Sequence, residues 1–103
     1  MEHYNIEIFP TAKQDLLDII SYLNTLSPDT ALKYYDLLIE EIGGLSELPE
    51  RYPHPKDLAL KAKGYRYLLV KNYLVFYVVS GKTVQIRRIL YARRDYSSLL
   101  GLQ

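Results

Sequence analysis

The spacing of apolar side chains predicts a short strand at the start of the chain and a helix directly after it. Apolar side chains occupy every second position of residues 3–9, which is typical of a strand with one buried face. Pro10 ends this pattern, and Thr11 with Gln14 has the spacing of a helix capping box. Apolar residues then recur every three or four positions as far as Leu26, which predicts the first helix.

A second helix is predicted directly after the first. Ser27 followed by Pro28 is a common helix start, with serine as the N-cap and proline at the first helical position. The apolar positions behind them keep the helical spacing: Ala31, Leu32, Tyr35, Leu38, Ile39, Ile42 and Leu45. Pro49 closes this helix. Because the link is so short, the two helices are expected to pack as an antiparallel hairpin.

The rest of the chain predicts a connection and three strands. Residues 49–64 contain three prolines and are expected to follow the surface, with a short turn at residues 58–60. Strands are predicted over residues 65–71, 73–80 and 83–92. The second of them is apolar on both faces, which places it in the middle of the sheet. The expected fold class is α+β, one domain over residues 1–103 in the order β-α-α-β-β-β, with an antiparallel three-stranded meander.

One face of this sheet is expected to need a further cover. The helical hairpin can pack on one face only, and the second strand is apolar on both. Either a partner protein covers the other face, or the C-terminal tail does, which carries Tyr96 and three leucines.

The composition excludes several kinds of site. The chain has no cysteine, so disulfides, thiolate metal sites and cysteine nucleophiles are excluded. Its two histidines are too few for a histidine metal cluster, and His54, between two prolines, is expected to be an ordinary exposed residue. No cofactor is expected. No apolar run reaches the ~20 residues of a membrane span, and no signal-peptide pattern is present, so a cytoplasmic protein is expected.

The net charge of +1 is divided unevenly along the chain. Residues 1–50 carry two basic and ten acidic side chains, whereas residues 51–103 carry eleven basic and two acidic ones. An acidic face and a basic face are therefore expected, and the basic half favours an anionic partner. The alternative is that the two halves neutralise each other within the fold.

Basic residues and tyrosines are interleaved along the predicted sheet. They are Arg66, Lys71, Arg87, Arg88, Arg93 and Arg94 with Tyr65, Tyr67, Tyr73, Tyr77, Tyr91 and Tyr96. Arginine binds phosphate through its planar fork and tyrosine stacks on bases, so such a surface fits nucleic acid or an acidic protein segment. The composition fits equally well a sheet in which tyrosines form strands and arginines occupy strand edges.

Several segments together resemble the RelE/ParE superfamily of bacterial toxins. They are Ser27-Pro28 with Ala31, Leu48-Pro49-Glu50, Gly64-Tyr65-Arg66, residues 72–77 and residues 86–96. The resemblance covers nearly the whole chain in the order of elements given above. It implies a helical hairpin on a small twisted sheet, acting as the toxic half of a type II toxin–antitoxin module. It also implies a partner, a small antitoxin whose C-terminal segment wraps around the toxin.

The superfamily includes ribosome-dependent mRNA endoribonucleases of the RelE type. In these toxins basic side chains stabilise the transition state and a terminal tyrosine assists proton transfer. The resemblance places such a catalytic set at Arg66, Arg88, Arg93, Arg94 and Tyr96. The nucleases carry basic residues where this chain has Leu68 and Leu74, so the set is only partly present.

ParE-like members lack the nuclease set and inhibit growth by binding DNA gyrase. Leu74 and the chain length fit this group, whereas Tyr91 stands where such toxins often have histidine. The resemblance favours a ParE-like inhibitor, with the mRNA endoribonuclease as the alternative and a non-toxic interaction domain as a third reading. Contacts with the antitoxin or the target are expected from Tyr65, Arg66, Tyr67, Arg87, Tyr91, Arg93 and Arg94. A one-residue change of register exchanges the faces of neighbouring arginines, so both of each pair are kept as candidates.

Overall fold

A computed structural model describes residues 3–92, which form a mixed four-stranded sheet with helices on both faces. In chain order the elements are β1 (Asn5–Ile8), α1 (Pro10–Leu26), α2 (Pro28–Gly43), α3 (Leu58–Ala62), β2 (Tyr65–Val70), β3 (Tyr73–Ser80) and β4 (Thr83–Tyr91). The strands lie side by side in the order β1-β4-β3-β2. β1 is parallel to β4, and the other neighbours are antiparallel. The predicted order of elements, the three-stranded meander and the inner position of β3 are confirmed.

Proline begins both long helices. α1 starts at Pro10 with Phe9 as its N-cap, and no side chain caps it. The capping box predicted for Thr11 and Gln14 is therefore wrong, because Thr11 already lies inside the first turn. Proline has no N–H to satisfy and a backbone angle suited to a helix, so Pro10 starts α1 without a side-chain cap. α2 begins as predicted, with Ser27 as a side-chain N-cap.

The helical hairpin packs on one face of the sheet and forms the main core there. Its buried residues are Ala12, Leu16, Leu38, Ile42 and Leu45 from the helices and the turn after them, with Leu68, Val70, Tyr73, Val75, Tyr77, Val84, Ile86 and Ile89 from the strands. Three residues of the apolar stripe predicted for α2 are exposed instead: Leu32, Tyr35 and Ile39. They lie on a neighbouring side of α2, because the buried stripe is the narrower one that contains Leu38 and Ile42.

A smaller hydrophobic cluster lies on the opposite face. It consists of Leu60, Tyr65, Phe76 and Leu90. The short turn predicted at residues 58–60 is present as α3, but the expectation that this segment follows the surface is wrong here, because Leu60 is fully buried. A carboxylate oxygen of Asp57 accepts the N–H groups of Ala59 and Leu60 at 2.9 and 3.1 Å, and this cap starts α3. α3 is not among the predicted covers of this face; of the two that are, a partner protein and the C-terminal tail, the tail lies outside the described residues.

The segment before α3 covers part of the outer edge of β2. The N–H of Tyr67 donates to the carbonyl of Pro53 at 3.1 Å, and Nδ1 of His54 lies 2.7 Å from the carbonyl oxygen of Tyr65. His54 is half-buried, so the expectation of an ordinary exposed residue is wrong. Because a carbonyl oxygen only accepts, Nδ1 carries the proton, and the ring serves as a hydrogen-bonding partner for the strand edge.

Membrane-spanning helices are absent from the described part of the chain. Within residues 3–92, no helix is both long enough and apolar enough to cross a bilayer. The longest is α1 with 17 residues, and its polar residues follow the helical repeat of an amphipathic helix.

Candidate functional site

The tyrosines predicted to share one surface are divided between the two faces of the sheet. Tyr65 and Tyr67 belong to the face that α3 covers, whereas Tyr73 and Tyr77 belong to the main core under the hairpin. Successive side chains of a strand point to opposite faces of the sheet. Tyr65 and Tyr67 therefore share one face of β2, and Tyr73 and Tyr77 share one face of β3. The expectation of a single basic and aromatic surface is therefore wrong for Tyr73 and Tyr77.

The two core tyrosines serve the fold. The hydroxyl of Tyr77 donates a short hydrogen bond to the carbonyl of Pro49. Burial raises the pKa of Tyr77 well above its usual value of 10.0. Burial, followed by the neighbouring Tyr34, also raises the pKa of Tyr73. Both phenols are therefore neutral at physiological pH, and the Tyr77 hydroxyl acts as a structural donor.

Arg88 joins β4 to α1 through Asp15. Its Nε donates to one carboxylate oxygen at 2.7 Å and its Nη2 to the other at 3.0 Å. The same carboxylate accepts the N–H of Ile89 at 2.9 Å. β1 ends at Ile8, opposite Ile86, and no described strand pairs with β4 farther along this edge. Asp15 thus takes the place of a strand partner, and its hydrogen bond raises the pKa of Arg88.

Arg66 is held on another strand. Its Nη1 donates to the carbonyl of Tyr52 at 2.6 Å, in the segment that leads to α3. β3 lies between Arg66 on β2 and Arg88 on β4, so two strand spacings of about 4.8 Å separate their backbones. The structure does not bring the two arginines together. Outside the described residues lie the other predicted members of the nuclease set: Arg93, Arg94 and Tyr96.

Arg87 lies over aromatic rings on the α3 side of the sheet. Its Cζ is 4.6 Å from the ring centre of Phe9 and 5.9 Å from that of Tyr65. Its Nε and Nη2 donate to Oε1 of Gln85 at 3.2 and 2.8 Å. β4 has a bulge at Arg87, because its two neighbours pair with consecutive residues of β3. We call Tyr65, Tyr67 and Arg87 the α3-side patch.

A cavity opens on the hairpin side, where β3 begins and β4 ends. It has a volume of about 500 Å³ and is lined by Asp18, Ile19, Tyr22, Tyr73 and Tyr91. The rings of Tyr73 and Tyr91 meet edge to face, with their centres 5.8 Å apart. Sequence reasoning included these two but missed Asp18 and Tyr22. The available signal was their four-residue spacing, which places both on one side of α1. We call this cavity the tyrosine pocket.

The described residues offer no metal site. No three histidine, aspartate or glutamate side chains among residues 3–92 are placed to hold a metal ion together. Two of the carboxylates have structural roles instead, since Asp15 binds Arg88 and Asp57 caps α3.

Known proteins resemble this chain in both sequence and fold. The family model for the ParE toxin of the type II toxin–antitoxin system, parDE, matches residues 6–96. A structure of the chromosomal ParDE system from P. aeruginosa is 23% identical and has a TM-score of 0.76, over 88% of this chain and 98% of that one. The toxin–antitoxin complex RelBE2 from Mycobacterium tuberculosis is 25% identical with a TM-score of 0.58, over 88% and 93% of the two chains. Comparison with curated proteins gives no match.

The family match covers both predicted helices and all four strands except Asn5, the first residue of β1. The ParDE structure independently supports the fold, because the similarity covers 98% of that chain. Together these findings confirm the resemblance seen in the sequence. The chain belongs to the ParE toxin family of type II toxin–antitoxin systems, within the RelE/ParE superfamily.

Proposed function

We propose that this ParE-family toxin inhibits growth by binding a target such as DNA gyrase, and that a cognate antitoxin neutralises it. Membership of the ParE family supports the role of a toxin. The observation that carries the mechanism is the placement of Arg66 and Arg88, the two described members of the RelE-like set. Each is engaged in a contact of the fold, on separate strands.

Cleavage of a phosphodiester needs cationic groups aimed at one point, where negative charge develops. Arg66 is directed to the carbonyl of Tyr52, and Arg88 is directed to Asp15. Turning either guanidinium towards RNA would leave a partly buried acceptor unpaired, at a cost of about 1–3 kcal/mol. This arrangement favours binding over phosphodiester chemistry.

Leu74 supports the same proposal. The RelE-like nucleases that the chain resembles carry an arginine at this place in the middle strand. Here Leu74 packs against the cluster around Leu60 and Phe76. A leucine has no charge with which to neutralise a phosphate. The Leu74 side chain helps to cover this face of the sheet instead.

An antitoxin partner is proposed from the relatives, since both solved structures come from toxin–antitoxin systems. The predicted contacts with the antitoxin or target remain proposals: Tyr65, Arg66, Tyr67, Arg87, Tyr91, Arg93 and Arg94. Among them the α3-side patch offers the half-buried guanidinium of Arg87, which lies over the buried ring of Tyr65 and suits an acidic segment.

Two assays on the full chain test the mechanism. Purified protein is added to a DNA gyrase supercoiling reaction and, separately, to a reconstituted translation reaction in which new mRNA 5′ ends are mapped. We expect blocked supercoiling and intact message. Ribosome-dependent cuts at codon positions would overturn the proposal and establish the nuclease. In that case the Arg93→Ala, Arg94→Ala double variant should lose cleavage, and its stability is measured beside it by thermal unfolding.

A charge reversal tests the antitoxin surface. Arg87→Glu places a carboxylate beside Tyr65 and should weaken the complex with the cognate antitoxin about tenfold, because like charges now face each other. Lys33→Glu, an equal charge change at an exposed position of α2, is the matched control. Unchanged affinity of the Arg87→Glu variant would place the antitoxin on another surface.

A further inference from the structure

The tyrosine pocket has the composition of a site for a positively charged side chain. Its lining combines three aromatic rings, of Tyr22, Tyr73 and Tyr91, with the carboxylate of Asp18. The face of an aromatic ring attracts a cation through its quadrupole, and a carboxylate adds a direct charge interaction. Rings around an ammonium or guanidinium group are a recurrent way to bind cations in proteins.

The inner wall of this pocket, the ring of Tyr73, is fixed by packing before any ligand arrives. The ring of Tyr73 lies edge to face with Tyr34, at 6.0 Å, and with Tyr91, at 5.8 Å. Tyr73 is 8% exposed and fixed in the core, whereas Tyr91 is 40% and Tyr22 is 62% exposed. The pocket therefore has a rigid inner ring and two accessible outer ones. A wall that is fixed in advance reduces the entropy lost on binding.

The charges around the pocket favour a cation over an anion. A second depression of about 330 Å³ shares Asp18 and Tyr73 with the pocket and extends to Asp15 and Arg88. Among the described residues that line the two, Arg88 is the single cation, and its charge is compensated by Asp15. Asp18 accepts a hydrogen bond from the neutral amide of Gln14 at 2.8 Å, which leaves its negative charge in place.

We propose that the tyrosine pocket binds a lysine or arginine side chain of the antitoxin. This inference rests on the proposed function, because it takes the antitoxin as the partner. The charge around the pocket supports a cationic occupant, since residues 1–50, which contribute Asp18 and Tyr22, carry ten acidic and only two basic side chains. A pocket for one side chain is also the usual means by which a protein recognises a bound chain segment residue by residue.

The first experiment tests the pocket without any antitoxin. The full chain is titrated with the peptide acetyl-Gly-Arg-Gly-amide, and the ring resonances of Tyr22, Tyr73 and Tyr91 are followed by NMR. An otherwise identical peptide with citrulline, neutral and of the same shape, is the reference. We expect the arginine peptide to bind about 2- to 30-fold more tightly. Equal binding of the two peptides, or none, would overturn the proposal whether or not the protein is a toxin.

Matched variants then assign the binding to the pocket. Asp18→Asn keeps the acceptor for Gln14 but removes the charge, and we expect up to about fivefold weaker binding of the arginine peptide. Asp36→Asn makes the same charge change at an exposed site on α2 and should leave binding unchanged. Tyr22→Leu and Tyr35→Leu form a second pair, both at exposed helix positions. Equal effects within both pairs would show nonspecific binding and exclude the pocket.

A double-mutant cycle identifies the source of the side chain. Each lysine and arginine of the cognate antitoxin is changed to glutamine, and affinity is measured against the toxin and its Asp18→Asn variant. We expect one antitoxin change to weaken the complex and to lose that effect in the Asp18→Asn background. If Asp18→Asn spares antitoxin affinity but weakens inhibition of gyrase or toxin self-association, the antitoxin is excluded as the source.

Discussion

The two faces of the sheet differ in how completely the chain covers them. On one face, α1 and α2 with 17 and 16 residues form the main core. On the other, the five-residue α3 buries a small cluster around Leu60, and Leu69 of β2 remains 57% exposed. The first face supplies most of the burial that stabilises the molecule, and the second retains accessible surface for a partner.

The same residue types have different roles on the two faces. Both tyrosines are buried, but Tyr77 under the hairpin donates to a backbone carbonyl, whereas Tyr65 on the α3 side lies beside the guanidinium of Arg87. Arg88 is occupied by Asp15, whereas Arg87, the next residue along β4, lies over aromatic rings. The environment decides the role, so residue type alone does not identify a binding surface.

The largest expected loss of stability comes from the same leucine-to-alanine substitution made on each face of the sheet. Leu38→Ala and Leu60→Ala should both destabilise the protein, within the ~2–5 kcal/mol range of such changes. We expect the larger loss at Leu38, because the main core is rigid and retains the cavity. The short α3 can settle into the space left at Leu60. Urea unfolding measures both, and an equal or larger loss at Leu60 would contradict the comparison.

A smaller loss of stability is expected where α1 contacts β4 at the edge of the sheet. Asp15→Asn keeps the shape but weakens its bonds to Arg88 and the N–H of Ile89, and should cost about 2–3 kcal/mol. Asp18→Asn, one turn away and exposed, should change stability by less than ~0.5 kcal/mol. Thermal unfolding of the two variants compares them. Equal stability would show that the Asp15 contact contributes little.

The smallest effect concerns the hydroxyl of Tyr77. Tyr77→Phe leaves the carbonyl of Pro49 without this donor and should cost about 1 kcal/mol at neutral pH.

The same variant changes the pH dependence of stability. Burial raises the pKa of Tyr77 in the folded state above 10.0, so above that pH the unfolded chain releases the phenol proton and the folded one keeps it. The free energy of unfolding should therefore fall as pH rises beyond about 10, and less steeply in Tyr77→Phe. Chemical unfolding at several alkaline pH values measures both slopes. Parallel curves would exclude this contribution of Tyr77.

Local patterns in the sequence predicted most of the fold. Ser27 and Pro28 mark the start of α2, and the two-sided apolar run of β3 predicts its inner position. Such features depend on neighbouring residues, which periodicity and turn chemistry reflect. The resemblance supplied the family, which the comparisons confirm.

The candidate site could be predicted only in part. Asp15 and Arg88 are 73 positions apart, and no local pattern pairs them. The sequence also could not show that Tyr73 and Tyr77 face the core, or that Tyr22 approaches Tyr91. These relations depend on how α1 crosses the sheet, which is set by packing between distant parts of the chain.

The parallel pairing of β1 with β4 has a consequence for how the protein is made. Asn5 lies beside Thr83, so the first strand finds its neighbour only after most of the chain has been synthesised. The helical hairpin has mainly local contacts and can form early. Pairing of β1 with β4 closes a long loop of the chain, and such steps are slow. The nascent toxin therefore acquires its finished surface late in translation.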